Sequence, residues 1–269
     1  CIINLQALYK YYIKEVITIS AFNIKTVHIN ANNPLSLKSF YESLGFESKA
    51  ENNKIYLSVN KKVFLIIHET SLEKRNEASL YYFSITVPTK KDLSKITNHL
   101  ISNKIKIQAS LKHNIGYSVF INDPEGNGVQ IFYQIPEITE YKKTEDFLLD
   151  EISSWSSCRV YRGLPKDSTI SNIHFHIPEI DPELSFYEDT FNLKAFYKTD
   201  SIAFLTDSEK FPCVCFDTWL KVKPDKKIKG HPGIFMYEIE VPKEISNKII
   251  SEMNTNIIES PNKILIKVS

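Results

Sequence analysis

The chain repeats one segment of itself, and this repeat constrains the fold more than any other feature. Residues 27–46 align with residues 173–196, and His28 falls on His174 without a gap. The tetrapeptide Ser-Phe-Tyr-Glu recurs at the same offset of 146 residues. Because a duplicated unit fixes the architecture before single residues are interpreted, the repeat is the starting point.

Each copy of the repeat predicts a strand followed by a helix. Apolar and polar residues alternate from 26 to 30, with the period of two that is typical of a strand. An Asn-Pro pair at 33–34 then supplies an N-cap and a first helical residue, and Gly45 ends the helix. The second helix is predicted to begin at the Asp-Pro pair 181–182 and to end near Asn192.

Looser similarities extend the repeat to the rest of each half. Residues 80–88 resemble 235–242, and the turn-forming stretch 123–128 recurs in worn form at 260–263. Each half therefore holds two strand–helix–strands modules, four in all. Apolar periodicity also predicts strands at 55–59, 63–67, 82–87, 118–122, 129–133, 203–205 and 213–216, and helices at 90–102 and 244–253.

Composition excludes several classes of function. A globular chain is indicated by 42% hydrophobic residues, and 33 basic against 32 acidic side chains leave no basic stripe for nucleic acid. No apolar run approaches the length needed to span a bilayer. The four cysteines follow no zinc or disulfide spacing, with Cys213 and Cys215 on one strand face, so we expect a reducing cytoplasm.

The composition along the chain predicts the domain boundaries. Residues 1–20 form an N-terminal extension, which we interpret as upstream sequence because it lacks an initiator Met and the interrupted apolar run makes no signal peptide. A first domain is predicted at 21–140, a charged linker at 141–168 and a second domain at 169–269.

Three stretches carry a resemblance to a known family. They are residues 80–88 (LYYFSITVP), residues 113–133 (HNIGYSVFINDPEGNGVQIFY) and Gly163-Leu164-Pro165 followed by Thr169-Ile170. Together they resemble the vicinal oxygen chelate superfamily, and more narrowly its bacterial two-domain, catechol 2,3-dioxygenase-like members. The resemblance implies an α+β fold of tandem βαβββ modules, paired into two cup-shaped domains of curved sheet.

The resemblance also implies a metal site in the first half. In ring-cleaving relatives, Fe(II) or another divalent metal is held by two His and one carboxylate. The matching positions here are His28, Tyr82 and Gln130, which we expect to meet at the bottom of one cup. A glutamine offers only a neutral carbonyl, and a tyrosine must lose a proton with a pKa of about 10, so metal affinity should fall.

Other positions of the family pattern carry the expected residues only in part. His113 matches the family's acid–base histidine, a role suited to a side chain that titrates near neutral pH. Phe120 stands where a tyrosine hydroxyl is usual. In the second half His174 is in place, but Met236 and Lys267 replace the other ligands, and we interpret His174 and His176 as a hydrogen-bonded pair on the concave face.

Three hypotheses of function follow. The first is an extradiol-type oxygenase for a catechol-like or quinol-like molecule, with metal at the predicted site and His113 as base. The second is a metal-free binding protein for a small aromatic or apolar ligand, because a concave sheet makes a pocket with or without a metal. The third is a structural role. None involves nucleic acid or membrane, and all leave a homo-oligomer open.

Overall fold

The computed structural model describes residues 22–74, 79–135, 144–157, 160–207, 212–222 and 230–269. These residues form sixteen strands and five helices. The strands are β1 Asn23–Ala31, β2 Glu47–Glu51, β3 Lys54–Val59, β4 Lys62–Glu69, β5 Ser79–Thr86, β6 Ile107–His113, β7 Gly116–Asn122, β8 Gly128–Gln134, β9 Thr144–Asp146, β10 Thr169–His176, β11 Lys194–Lys198, β12 Ile202–Thr206, β13 Val214–Asp217, β14 Gly233–Glu240, β15 Ile257–Glu259 and β16 Leu265–Val268. The helices are α1 Pro34–Ser43, α2 Lys90–Ser102, α3 Leu149–Ser154, α4 Ile180–Phe191 and α5 Lys243–Met253. The predicted extension at 1–20 lies outside the described residues.

The four predicted modules are present and form two curled sheets. A seven-stranded sheet has the order β15-β16-β14-β1-β4-β3-β2, and a nine-stranded sheet has the order β11-β12-β13-β10-β5-β8-β7-β6-β9. Each sheet combines the strands of two modules, which confirms the predicted α+β class with modules paired into two cups.

The pairing of the modules differs from the prediction. β1 pairs antiparallel with β14, so the first module joins the fourth. β5 pairs antiparallel with β10, so the second module joins the third. The prediction that each half closes its own cup, with one cup in 21–140 and one in 169–269, is therefore wrong. The modules share the same apolar period, which places residues on strands but does not specify which strands become neighbours.

The predicted helix signals are largely confirmed. Asn33 caps α1, its side chain accepting a hydrogen bond from the backbone N–H of Ser36, and Gly45 follows the helix at a φ of 89°. α4 starts earlier than predicted, at Ile180, and ends as expected on Asn192 in the left-handed conformation. Helix α2 spans the predicted residues, and α5 begins one residue earlier than predicted.

The predicted linker contains ordered structure. β9 adds an edge strand beside β6, and α3 packs on α2, where the carbonyl of Ser153 accepts hydrogen bonds from Ser94 and Asn98. Farther along, Gly163 packs against Gly45, where a Cβ on Gly45 would lie 2.3 Å from the Cα of Gly163. This segment therefore holds the first and second modules together. The irregular spacing of its apolar residues did not predict this role.

Two further predictions can be compared with the fold. Cys213 and Cys215 are buried free thiols, the first directly before β13 and the second on that strand. Among the helices of the described residues, none is long and apolar enough to cross a membrane.

Candidate functional site

The strand register defines one equivalent pair of positions in every module. The first residue lies on the first strand of the module. The second lies on the parallel strand beside it, two positions after the residue that is paired with the first. The four pairs are His28 with His68, Tyr82 with Gln130, His174 with Asp217, and Met236 with Lys267. The family resemblance assigns metal ligands to six of these eight positions, and His68 and Asp217 complete the set by strand register. We call the eight the family positions.

The predicted metal set is split between the two sheets. His28 lies on β1 of the seven-stranded sheet, whereas Tyr82 and Gln130 lie on β5 and β8 of the nine-stranded sheet. The prediction that these three side chains meet in one hollow is therefore wrong. In the nine-stranded sheet the partners of Tyr82 and Gln130 come from the third module and are His174 and Asp217.

The cup of the seven-stranded sheet holds a chain of paired polar groups. His28 Nε2 lies 2.9 Å from Glu238 Oε1, and Lys267 Nζ donates to the same oxygen at 3.1 Å. His28 Nδ1 lies 3.1 Å from His68 Nε2, and the ring of Phe235 packs edge-on against both imidazoles. Burial, with the nearby His28, lowers the pKa of His68 to about 4. His28 therefore serves an internal network.

The cup of the nine-stranded sheet has a buried carboxylate between two histidines. Asp217 Oδ1 lies 2.7 Å from His176 Nδ1 and accepts the backbone N–H of Trp219 at 3.0 Å. Asp217 Oδ2 lies 3.0 Å from His174 Nε2. Burial raises the pKa of Asp217, but the contacts with both histidines outweigh burial and hold it at about 2. The expected pairing of His174 and His176 is thus mediated by Asp217.

His174 and Trp219, which contact Asp217, line a cavity of about 460 Å³. Seven of its fifteen lining residues are aromatic, among them Tyr81, Tyr82, Phe120, His174, Phe204 and Trp219. The rings contact one another edge-on, with centroids 5.1 Å apart for Tyr82 and Phe120 and 5.0 Å apart for Tyr82 and His174. The cavity thus draws its walls from both halves of the sequence.

Tyr82 and Gln130 have different positions relative to this cavity. Tyr82 contributes to the wall. Gln130 is buried, and its side-chain oxygen accepts a hydrogen bond from the Ser84 hydroxyl. An amide oxygen held in this way supports the packing beneath the wall.

His113, the predicted base, lies behind the wall of the cavity. Its Nδ1 is 3.0 Å from the hydroxyl of Thr144, a residue of the cavity wall, and its Nε2 is 2.9 Å from the hydroxyl of Ser118. Burial lowers the pKa of His113 to about 4, so the ring is neutral near pH 7. Thr144 therefore connects His113 to the cavity.

The side chains in the nine-stranded cup do not fit the metal that the family implies. Its four family positions offer one imidazole, one carboxylate, a phenol and an amide, and the amide oxygen is already bonded to Ser84. Oδ1 of Asp217 already has two partners. Across the described residues, no group of three or more His, Cys, Asp or Glu side chains is arranged to hold a metal ion.

Sequence reasoning missed Asp217, His68 and Glu238. The sequence did contain a signal for Asp217, because this acidic residue comes directly after the predicted strand 213–216. It could not be used while each half was expected to close its own cup. The role of His68 required the register of β1 and β4, and the role of Glu238 required the position of the fourth module beside the first.

Comparisons with known proteins agree with this architecture. Residues 23–131 match the family model of the Glyoxalase/Bleomycin resistance protein/Dioxygenase superfamily. The chain is 23% identical over 257 residues to a Bacillus subtilis protein named catechol-2,3-dioxygenase, covering 86% of this chain and 88% of the relative.

Solved structures share the fold over most of the chain. A proposed dioxygenase from Bacillus subtilis superposes with a TM-score of 0.62 at 11% identity, covering 93% of this chain and 84% of its own. The cppA protein from Streptococcus pneumoniae gives 0.58 at 14% identity, covering 92% and 98%. Glyoxalase I from Zea mays gives 0.54 at 11% identity, covering 93% of each chain. Residues 23–131 are therefore similar to the Glyoxalase/Bleomycin resistance protein/Dioxygenase superfamily, and the solved structures share the fold of the chain as a whole.

Proposed function

We propose that this protein binds a small aromatic molecule, without a metal ion, in the cavity of the nine-stranded sheet. The observation that carries the proposal is the aromatic wall of that cavity, built around Tyr82, Phe120 and Phe204. Flat rings in edge-to-face arrangements are the surface against which another aromatic ring packs best.

The size of the cavity supports a ligand of one or two rings. At about 460 Å³ it lies in the lower half of the range, roughly 300–1,000 Å³, of small-molecule sites. Tyr81, Tyr197 and Trp219 at the rim are each between 39% and 53% exposed. Exposed rings at the mouth of a pocket give an entering aromatic molecule an apolar surface to contact first.

Charge in the cup also supports an uncharged ligand. Asp217 is fully buried, and its carboxylate is matched by two histidines and a backbone N–H. A bound neutral ring would not leave this carboxylate without partners, so it need not bring a compensating charge.

The proposal is tested by filling the cavity. Ala109 lines it, and Ala109→Trp should occupy the space that a ligand needs. Ala50, on the exposed strand β2, provides the matched control Ala50→Trp. Melting temperatures would be measured with and without naphthalene derivatives, in buffer with EDTA and in buffer without it.

We expect saturating ligand to raise the melting temperature of the unmodified protein and of Ala50→Trp by about 5 °C or more. Ala109→Trp should show no rise. A panel of aromatic ligands that stabilises none of the proteins, or stabilises Ala109→Trp equally, would contradict the proposal, and a rise that EDTA abolishes would contradict its metal-free part.

A second candidate is the ring-cleaving oxygenase, favoured by the 23% identical relative named catechol-2,3-dioxygenase. This candidate needs Fe(II), which the side chains of the nine-stranded cup do not fit, so it is the weaker of the two. Protein loaded with Fe(II) under anaerobic conditions and then mixed with catechol and oxygen should consume oxygen. Stoichiometric iron with oxygen uptake would favour the enzyme over the binding protein.

A further inference from the structure

Two residues with carboxamide side chains line the cavity of the nine-stranded sheet, opposite its aromatic rings. Gln108 lies on β6 and Asn122 lies on β7. Both are exposed to solvent, and neither carboxamide makes a hydrogen bond to another described residue. The described lining contains no Asp, Glu, Lys or Arg. Uncharged groups must therefore supply every polar contact to a ligand in this cavity.

An irregularity in β6 brings Gln108 to the cavity. In a regular strand, neighbouring side chains point to opposite faces of the sheet. The pairing of β6 with β7 shifts between Ile107 and Ala109, so Gln108 is the extra residue of a β-bulge. Gln108 and its neighbour Ala109 therefore both line the cavity. Bulges are enriched beside active sites, where they redirect a side chain.

A ligand in the cavity must replace the water at these carboxamides. Asn122 lies two residues after Phe120 on β7, so both side chains share one face of the sheet. A ring packed against Phe120 would displace water from the carboxamides, and a donor or acceptor left unpaired in this way costs free energy. A carboxamide holds an N–H donor and a C=O acceptor side by side, and such amides pair with a ring edge that carries an acceptor next to a donor.

We infer that the cavity selects neutral, planar heteroaromatic molecules that carry a donor and an acceptor side by side on one edge, with the carboxamides of Gln108 and Asn122 as the partners of that edge. The inference rests on the proposed function, because it names the class of ligand for the same cavity. The aromatic rings contact the body of such a ligand, and the two carboxamides discriminate between ligands of the same shape.

The test compares two ligands of the same shape that differ in one donor. 2-Quinolone is a bicyclic lactam with its N–H next to its C=O, and coumarin has the same skeleton with a ring oxygen in place of the N–H. Dissociation constants would be measured by titration calorimetry at neutral pH in buffer with EDTA. We expect the unmodified protein to bind 2-quinolone at least about tenfold more tightly, because coumarin leaves a carboxamide oxygen without a donor.

Three variants locate the preference. The double variant Gln108→Met, Asn122→Leu keeps the size of both exposed side chains and removes their amides, so the ratio should fall to about one while coumarin still binds. Gln134→Met makes the same exchange at the end of β8, outside the cavity lining, and should leave the ratio unchanged. Ala109→Trp fills the cavity and should abolish the binding of both ligands.

The outcomes separate the inference from the proposed function. Equal binding of both ligands by the unmodified protein, tighter binding of coumarin, or an unchanged ratio in the double variant would overturn the inference and leave the aromatic pocket standing. Binding of neither ligand, or equal binding by Ala109→Trp, would overturn both. Because the first comparison uses the unmodified protein, it remains decisive even if a variant does not fold.

Discussion

The two cups have the same strand register but different contents. In the seven-stranded sheet the family positions carry His28, His68 and Lys267, and Glu238 links them into a network beside Phe235. In the nine-stranded sheet Tyr82 and His174 line a cavity of about 460 Å³, and Gln130 and Asp217 are buried outside its lining.

This difference shows what turns the common scaffold into a pocket. The seven-stranded cup uses its polar side chains on one another, and a lysine contributes a positive charge that would repel a metal cation. In the nine-stranded cup the Asp217 carboxylate is buried, and aromatic rings line the cavity. The fold thus provides two concave surfaces, and the side chains decide which one is available to a ligand.

Removing the central carboxylate of each cup should give the largest contrast. Asp217→Ala would leave His174 and His176 buried without their acceptor and should lower the free energy of unfolding by about 3–5 kcal/mol. Glu238→Ala removes a more exposed carboxylate and should cost only about 1 kcal/mol. Urea unfolding would measure both, and equal losses would show that the two networks are equivalent.

Replacing Gly128, where β8 begins beside β5, should give the next largest loss of stability. A Cβ on Gly128 would lie 2.1 Å from the carbonyl oxygen of Tyr81, so Gly128→Ala must shift β5 or β8 and should cost about 2–3 kcal/mol. Gly126→Ala is the control, because only positive φ opposes it, at a cost of about 1 kcal/mol. At the same register the other sheet accommodates Leu265 beside Met236.

A smaller effect should appear in the pH dependence of stability. His68 and His113, one in each sheet, have pKa values lowered to about 4, whereas the unfolded chain protonates them near about 6.5. Between these values the unfolded state binds more protons, so stability should fall as pH falls from about 6.5 to about 4. The pKa of Asp217 is lowered to about 2 in the folded protein, so the stability that this carboxylate contributes is lost only below about pH 4.

Urea unfolding at several pH values would measure this slope. His68→Phe and His113→Phe should each reduce it by about one bound proton at most. An unchanged slope in both variants would mean that neither ring is neutral and buried in the native protein.

Local features of the fold could be predicted because their causes are local. The Asn33 cap, the turn at Gly45 and the helix at 90–102 each depend on residues within a few positions. The pairing of the modules depends on contacts such as His28 beside Met236, more than 200 residues apart, which local patterns do not encode.

The same distinction explains the candidate site. Tyr82 was predicted as a site residue and lies in the cavity wall, because a motif places it on its strand. His28 and Gln130 were correctly placed on strands, but His28 belongs to the other cup. Asp217 could not be assigned a role until β10 was known to lie between β5 and β13.

The central claim is that one cup binds an aromatic ligand without a metal and the other does not. Titration calorimetry of 2-naphthol into metal-stripped protein measures this directly through the number of ligands bound per chain. We expect one bound 2-naphthol per chain for the unmodified protein and none for Ala109→Trp. Two ligands per chain, or binding that returns only when Fe(II) is added, would contradict it.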